Sequence, residues 1–225
     1  MSAGAGAVAY LVSRYPAVSH TFILREVQGL RALGLRVEVA SVNAPDRLPE
    51  RMSDGEREEA ATTYGIKRHG VRGALSALAW AAATRPLALL RTLREAFGYG
   101  RGVKRIYVLA YAVEAVMVAR WMAGRGLQHL HVHFGNEAAA VGTLTKTLSG
   151  AGLSLTIHGP DEFDDVSGQR LRQKVEAADR VVCISQFARS QLIAALKILQ
   201  AGDIRKNQLS GSWAGAMGHT QFIPT

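Results

Sequence analysis

The chain has 225 residues, of which 48% are hydrophobic and 20% are charged, and its formal net charge is +9. This composition excludes a wholly disordered chain, because enough apolar surface is present to form a core. The basic balance favours an anionic partner, such as a nucleic acid, a phosphorylated substrate or an anionic membrane surface.

The cellular location is predicted from three features. The N-terminus does not combine a basic region with a long apolar run, so no signal peptide is expected. The most apolar stretch, residues 106–122, contains Glu114 and Arg120 and therefore predicts a buried or interfacial helix rather than a membrane span. The single cysteine, Cys183, lies in an apolar run and predicts a buried thiol. We expect a cytoplasmic protein, with a peripheral position on the inner membrane as the alternative.

The first 43 residues predict a strand, a helix and a second strand. Residues 7–12 form a continuous apolar run, which is typical of a parallel strand covered on both faces. The following apolar residues recur at helical spacing, with Ser19 as the expected N-terminal cap and Gly34 at the C-terminal end. Residues 36–42 alternate and predict the second strand.

The loop after the first strand leads directly into the predicted helix. A helix N-terminus presents unpaired N–H groups and partial positive charge, which suit an anion. The loop contains no G-x-G-x-x-G sequence, so it is not a dinucleotide fingerprint. A loop that contacts a sugar or phosphate and a plain strand–helix connection both remain open here.

The middle of the chain predicts a polar surface segment followed by helices. Residues 43–65 are polar, and helices are expected at about 72–83, 86–97 and 104–123. Basic residues dominate this helical part: Lys67, Arg68, Arg72, Arg85, Arg91, Arg94, Arg101, Lys104 and Arg105. Interleaved with leucines and aromatic residues, they suit either an interfacial surface on an anionic membrane or an ordinary solvated helix face.

The last part of the predicted domain again alternates strands and helices. Strands are expected at 129–134, 153–157 and 181–184, and helices at 137–149, 169–177 and from 185 onward. This alternation predicts a Rossmann-like three-layer α/β domain with a mainly parallel sheet.

Polar and glycine residues gather where two of these strands end. In an open parallel sheet, ligands bind outside the carboxyl ends of the strands. The candidate binding residues at these ends are His133, Gly135, Asn136, His158, Gly159, Asp161 and Glu162. This cluster is the strongest functional signal in the sequence.

Three histidines alternate along one predicted strand. A period of two places His129, His131 and His133 on the same face of the sheet. Zinc could use imidazole ligands, but successive residues on one face lie roughly 7 Å apart, which hinders convergence on one ion. We therefore expect no metal.

His158 ends an apolar strand and precedes Gly159, where the backbone allows a close approach. Asp161 and Glu162 follow and are placed to orient the imidazole or to raise its pKa. A contact to a substrate hydroxyl or phosphate and a hydrogen bond within the loop are both consistent with this pattern.

Four stretches resemble retaining GT-B glycosyltransferases of the group that builds bacterial exopolysaccharide and colanic-acid-type polymers. They are YLVSRYPAVSHTFILREVQGLRALGLRVEVASV, HVHFGNEAAAVG, LTIHGPDEFD and ADRVVCISQFARSQL. The resemblance covers about residues 7–192 and implies the acceptor-binding N-terminal half of a two-domain enzyme.

The resemblance also implies roles for individual residues. It makes His158 the catalytic histidine, with Gly159 and Asp161 beside it, and it brings the loop after the first strand to the transferred sugar, which implies substrate contacts for Ser19, His20 and Thr21. The other expected substrate contacts follow from their place at the strand ends: His133, Gly135, Asn136 and Glu162. It further implies a nucleotide-sugar co-substrate, a glycan or lipid-linked acceptor, no other cofactor and no nucleic-acid partner.

After about Gln191 the sequence changes character. The stretches IAALKILQAGDI and GSWAGAMGHTQFIPT resemble B-type lytic murein transglycosylases. In that family the second stretch lies in the glycan-binding groove, which implies glycan contacts for Ser212, Trp213 and Gln221. We expect a short tail that is helical or partly disordered.

We therefore interpret the chain as a fusion. Residues 1–192 are expected to be the acceptor-binding domain of a glycosyltransferase, and residues 193–225 a truncated segment similar to a transglycosylase. The nucleotide-sugar domain and the transglycosylase glutamate are not expected in it, so the chain should be inactive alone. The alternatives are a fragment of a peptidoglycan lytic transglycosylase and a non-catalytic module that binds membranes or carbohydrates.

Overall fold

The computed structural model describes residues 6–98, 105–159, 162–163, 170–203 and 220–222. Within these residues the strands are β1 (Ala7–Arg14), β2 (Arg36–Asn43), β3 (Tyr64–Gly65), β4 (His129–His133), β5 (Gly152–Ile157), β6 (Arg180–Cys183) and β7 (Thr220–Phe222). The helices are α1 (Thr21–Ala32), α2 (Asp54–Thr62), α3 (Gly70–Thr84), α4 (Pro86–Gly98), α5 (Arg105–Arg125), α6 (Glu137–Ser149), α7 (Leu171–Ala177) and α8 (Gln186–Asp203).

The described strands form one sheet in the order β3-β2-β1-β4-β5-β6-β7. Every pairing between neighbours is parallel. The chain moves outward from β1 through β2 to β3, then returns to pair β4 on the other side of β1. This reversal next to β1 is the place where open α/β sheets form a ligand crevice. The Rossmann-like α/β prediction is confirmed.

The side chains of β1 separate the two faces of the sheet. Ala9 and Leu11 belong to a core shared with α3 to α6, while Tyr10 and Val12 belong to a second core that includes residues of α1. Alternate residues of a strand point to opposite faces, so the uninterrupted apolar run of β1 supplies both cores. Three layers result: helices, sheet and helices.

The layer formed by α3 to α6 is built around α5. Its central residues, among them Val116 and Val118, are fully buried against α3, α4 and α6. The three expected helices in this region are confirmed to within two residues. None of the described helices is both long enough and apolar enough to cross a bilayer.

The start of α1 differs from the prediction. A 3-10 turn at Val18–His20 precedes the helix, His20 occupies the N-cap position without a side-chain cap bond, and Ser19 is exposed. Ser19 is therefore not the cap, because the turn shifts the first helical residue to Thr21. At the other end, Gly34 has a φ of +85°, a backbone conformation that glycine adopts readily, as expected for the residue that ends the helix.

The polar segment after β2 is more ordered than a surface loop. It contains α2, which begins with a capping box between Ser53 and Glu56. Glu59 of α2 is buried, accepts a hydrogen bond from the Tyr15 hydroxyl (3.0 Å) and pairs with Arg31. Glu59 therefore attaches α2 to Tyr15, which follows β1, and to Arg31 of α1.

The C-terminal segment joins the sheet. The expected division at 192/193 falls inside α8, which continues to Asp203. The strand β7 pairs with β6, with Thr220 opposite Val181. The sequence instead predicted a helical or partly disordered tail without a strand. Two of the proposed tail contacts, Ser212 and Trp213, lie outside the described residues.

Cys183 gives a direct test of this packing. It is 1% exposed, and burial raises the pKa of its thiol to about 11. Because the thiolate is the reactive form, the thiol in the folded chain should react with an aromatic disulfide reagent at about pH 8 at least about a hundredfold more slowly than in guanidinium chloride. Absorbance of the released thiolate measures both rates. Equal rates would contradict the buried position.

Candidate functional site

The candidate site lies at the carboxyl ends of β1, β4 and β5, beside the reversal of strand order. His133 is the last residue of β4, and His158 follows the last residue of β5. The loop after β1 contributes His20. The parallel pairing of β4 with both β1 and β5 brings these three segments to one edge.

A hydrogen bond between two histidines forms the centre of the site. His133 Nδ1 lies 3.0 Å from His158 Nε2. His133 is 1% exposed, whereas the His158 side chain is partly open to solvent. His158 is therefore the member of the pair that a ligand can reach. Its hydrogen bond to the buried His133 fixes the orientation of its ring.

Aromatic rings surround the His158 imidazole. The ring of Phe134 lies 4.3 Å and the ring of Phe22 lies 4.8 Å from it, measured between centroids. His20 stacks obliquely on Phe134 at 5.2 Å and directs its Nδ1 to the Arg14 carbonyl (3.1 Å). A few polar atoms among aromatic faces are typical of small-molecule sites.

Both central histidines are neutral at ordinary pH. Burial, with a further contribution from neighbouring histidines, lowers the pKa of His133 to about 2 and that of His158 to about 4. The bond between them therefore uses one N–H and one lone pair. A neutral imidazole at His158 can accept a proton from a ligand hydroxyl or donate to an oxygen.

Glu162 holds the two loops of the site together. Its Oε1 accepts a hydrogen bond from the Gly135 N–H, and its Oε2 accepts from the His158 N–H (2.5 Å) and the Gly159 N–H (2.9 Å). The side chain is 4% exposed, and burial raises its pKa despite these donors. The carboxylate is thus engaged by the protein backbone, which makes Glu162 a structural clamp.

Lys174 of α7 holds the same loop from its carbonyl side. Its Nζ donates to the carbonyls of Gly135 (2.7 Å) and Asn136 (2.8 Å). Burial lowers the pKa of Lys174 to about 8. A Cβ added at Gly135 would lie 2.5 Å from Leu171 Cδ1 and 3.1 Å from Glu162 Oε1, so a larger residue here would have to displace these side chains.

The remaining predicted residues have varied positions. Asn136 caps α6 by accepting from the Ala138 N–H (2.9 Å), which occupies its side-chain oxygen. Gly159 has a φ of +148°, which residues with a side chain rarely adopt. Thr21 is exposed at the start of α1, and Asp161 lies outside the described residues.

Sequence reasoning missed residues of α1 and β1. Glu26 Oε2 lies 3.6 Å from His133 Nε2, and its Oε1 accepts from the Tyr10 hydroxyl (2.7 Å). Burial raises the pKa of Glu26. The spacing of Phe22 and Glu26, four residues apart on one helix, could have placed them together on one face. Their position opposite β4 depends on the fold.

A separate pocket of about 210 Å³ lies at the ends of β2 and β3. Two of its lining residues are already hydrogen-bonded: Lys67 Nζ donates to Asn43 Oδ1 (2.6 Å), and Asn43 Nδ2 donates to the Ser13 carbonyl (2.9 Å). In the candidate site, by contrast, the imidazoles of His20 and His158 are partly open to solvent.

Residues 179–225 match the transglycosylase SLT domain. No curated protein matches the chain. The family match confirms the relation to transglycosylases that the tail sequence predicted, and it begins earlier than expected, so that it includes β6 and α8. It covers about a fifth of the chain, leaves His133 and His158 outside, and lends no support to the glycosyltransferase interpretation.

Replacing Glu162 tests its role as a clamp. Glu162→Ala leaves three backbone N–H groups without their acceptor, two of them buried and that of His158 partly buried. Each buried group costs about 1–3 kcal/mol. We expect the free energy of unfolding, measured in urea, to fall by about 3 kcal/mol or more. Glu58→Ala, at an exposed position of α2, should change it by less than about 0.5 kcal/mol. Similar values for the two variants would contradict the clamp.

Proposed function

We propose that the chain binds a glycan at the carboxyl edge of β1, β4 and β5, as the acceptor-binding part of a glycosyltransferase of bacterial surface-polysaccharide synthesis. The single observation that carries this proposal is the partly exposed His158, held by buried His133 at the reversal of strand order. The motif resemblance of residues 7–192 supplies the substrate class.

The chemistry of the site suits a sugar. A sugar presents hydroxyl groups at its edge and C–H groups on its faces. Neutral His158 offers one polar contact for a hydroxyl, and the rings of Phe22 and Phe134 offer apolar faces beside it. His20 lies near Phe134 and completes the polar part of the rim. In catalysis, His158 would contact the transferred sugar or its diphosphate, as the resemblance implies.

The role proposed for the described residues is glycan binding. Retaining transfer from a nucleotide-sugar needs the leaving diphosphate to be held and neutralised by preorganised groups. The described residues form one sheet, and the buried Lys174 is engaged with backbone carbonyls. In the GT-B resemblance a second domain supplies the groups that hold the nucleotide.

The second candidate is a function related to lytic transglycosylases. The match of residues 179–225 to the transglycosylase SLT domain favours it. On this interpretation the tail, with Ser212, Trp213 and Gln221, contacts a murein glycan strand. The two candidates place the ligand at different ends of the chain, so single variants separate them.

A glycan array tests both candidates. The array carries fragments of bacterial surface polysaccharides and chitotetraose, which resembles a murein strand. We expect His158→Gln to weaken binding of a polysaccharide fragment about tenfold, which corresponds to the loss of one hydrogen bond of about 1.4 kcal/mol. His69→Gln, at an exposed histidine away from the site, and Trp213→Ala should leave that binding unchanged.

The opposite pattern decides for the second candidate. Binding to chitotetraose alone, lost in Trp213→Ala and kept in His158→Gln, would overturn the first proposal. Binding that survives both changes would overturn both. Thermal unfolding of each variant checks that the fold is retained, because Gln at 158 can still offer a polar partner to His133.

The basic helical segment 67–105 is proposed to approach an anionic membrane that carries a lipid-linked acceptor. Helix α4 presents one exposed face with three large apolar side chains, Leu87, Leu90 and Phe97. Two exposed arginines, Arg91 and Arg94, lie on the same face at helical spacing. Apolar side chains flanked by basic ones suit the headgroup region of an anionic bilayer.

Vesicle flotation tests this surface. The chain should float at low salt with vesicles that contain phosphatidylglycerol. It should dissociate as salt is added, because salt screens the attraction between charges that are more than about 8–10 Å apart. Introducing Leu87→Glu together with Leu90→Glu should reduce the bound fraction at least fivefold. Leu33→Glu, at an exposed leucine after α1, serves as the matched control. Equal weak binding to neutral and anionic vesicles would favour a solvated helix face.

A further inference from the structure

We propose that Glu26, His131 and His133 form a binding site for a divalent transition-metal ion of the zinc type. One possible ligand atom from each of the three residues lies within 4.8 Å of those of the other two. The site lies on the face of the sheet that packs against α1, and it includes His133, the hydrogen-bond partner of His158. This proposal is additional to glycan binding. It concerns a metal ion that would stabilise the pair of His133 and His158, whereas the glycan is the ligand that the pair would recognise.

The closeness of the ligands was not expected from the spacing along β4. Residues two apart on a strand are roughly 7 Å apart along the backbone. The rings of His131 and His133 are nevertheless only 4.8 Å apart between centroids, and nearly perpendicular. Their side chains lean toward each other, and α1 supplies the carboxylate from the side.

The second observation is an unpartnered nitrogen. Among the described residues, His133 Nε2 is buried and has no hydrogen-bond partner. The nearest acidic atom is Glu26 Oε2, at 3.6 Å, beyond hydrogen-bond distance. When His133 Nδ1 donates to His158 Nε2, the Nε2 of His133 carries a lone pair that faces Glu26. A metal ion between these two atoms would satisfy both.

Each ligand is oriented by a hydrogen bond at its other polar atom. Tyr10 donates to Glu26 Oε1 (2.7 Å), and Ser154 Oγ lies 2.7 Å from His131 Nδ1. Such partners are typical of metal-binding histidines and carboxylates, because they fix the ring and the tautomer. His131 Nε2 also lies 3.1 Å from Thr156 Oγ1, so coordination by His131 exchanges one hydroxyl contact for the metal.

The geometry fits zinc after a small adjustment. Ligand atoms at bonds of about 2.0–2.1 Å in a tetrahedral site are roughly 3.3 Å apart. The distance between Glu26 Oε2 and His133 Nε2 is already 3.6 Å, and the Glu26 side chain is 42% exposed. Two imidazoles and one carboxylate form a common zinc ligand set and leave a fourth position for water.

Calorimetric titration with zinc chloride tests the site, using the full chain without a histidine tag. We expect one zinc ion per chain and at least tenfold weaker binding in Glu26→Gln. This variant keeps the shape of the side chain and an acceptor for Tyr10, so it should remain folded. His69→Gln is the matched control and should bind as the parent chain does. Cobalt(II) absorption bands should appear in the parent chain and weaken in Glu26→Gln.

Two outcomes would overturn the proposal. One is a parent chain that binds no stoichiometric zinc. The other is binding of equal strength in Glu26→Gln, which would place the ion elsewhere. His133→Gln gives a further check, since zinc should raise the melting temperature of the parent chain but not of this variant, whatever its own stability.

Discussion

The candidate site depends on two buried, oppositely charged side chains that hold one tight loop. Glu162 accepts the N–H groups of Gly135, His158 and Gly159, and Lys174 donates to the carbonyls of Gly135 and Asn136. Burying a charge is costly unless it is fully hydrogen-bonded. Here the charges satisfy five backbone groups that the loops after β4 and β5 leave without partners. The hydrogen bond between His133 and His158 exists because these loops are held in register.

The order of the strands decides which residues meet at this edge. Because β4 pairs with β1 rather than with β3, the loop after β1 and the end of β4 become neighbours. Helix α1 then covers the same face and brings Phe22 and Glu26 to His133 and His158. A reversal of strand order at this point thus creates both the aromatic surface proposed for a glycan and the three-ligand cluster proposed for zinc.

The C-terminal segment is physically part of the same sheet. The match to the transglycosylase SLT domain starts at residue 179, and β6 within it pairs with β5 of the preceding chain. Helix α8 contributes Leu192 and Leu196 to a core with Ile157, so it packs on both sides of the expected 192/193 division. The division into two functional parts stays a prediction, but the described residues around it share one core.

The sequence by itself determined the local elements and their faces. The apolar run of β1, the helical periodicity of α1 and the alternation of His129, His131 and His133 depend only on neighbours along the chain. The tertiary structure alone decided that Glu162 accepts backbone N–H groups from two loops, that Ser19 is not a cap, and that Glu26 faces His133. Glu162 reaches Gly135, 27 positions away, and Glu26 reaches His133, 107 positions away. Their formation depends on strand order and loop geometry, which periodicity does not encode.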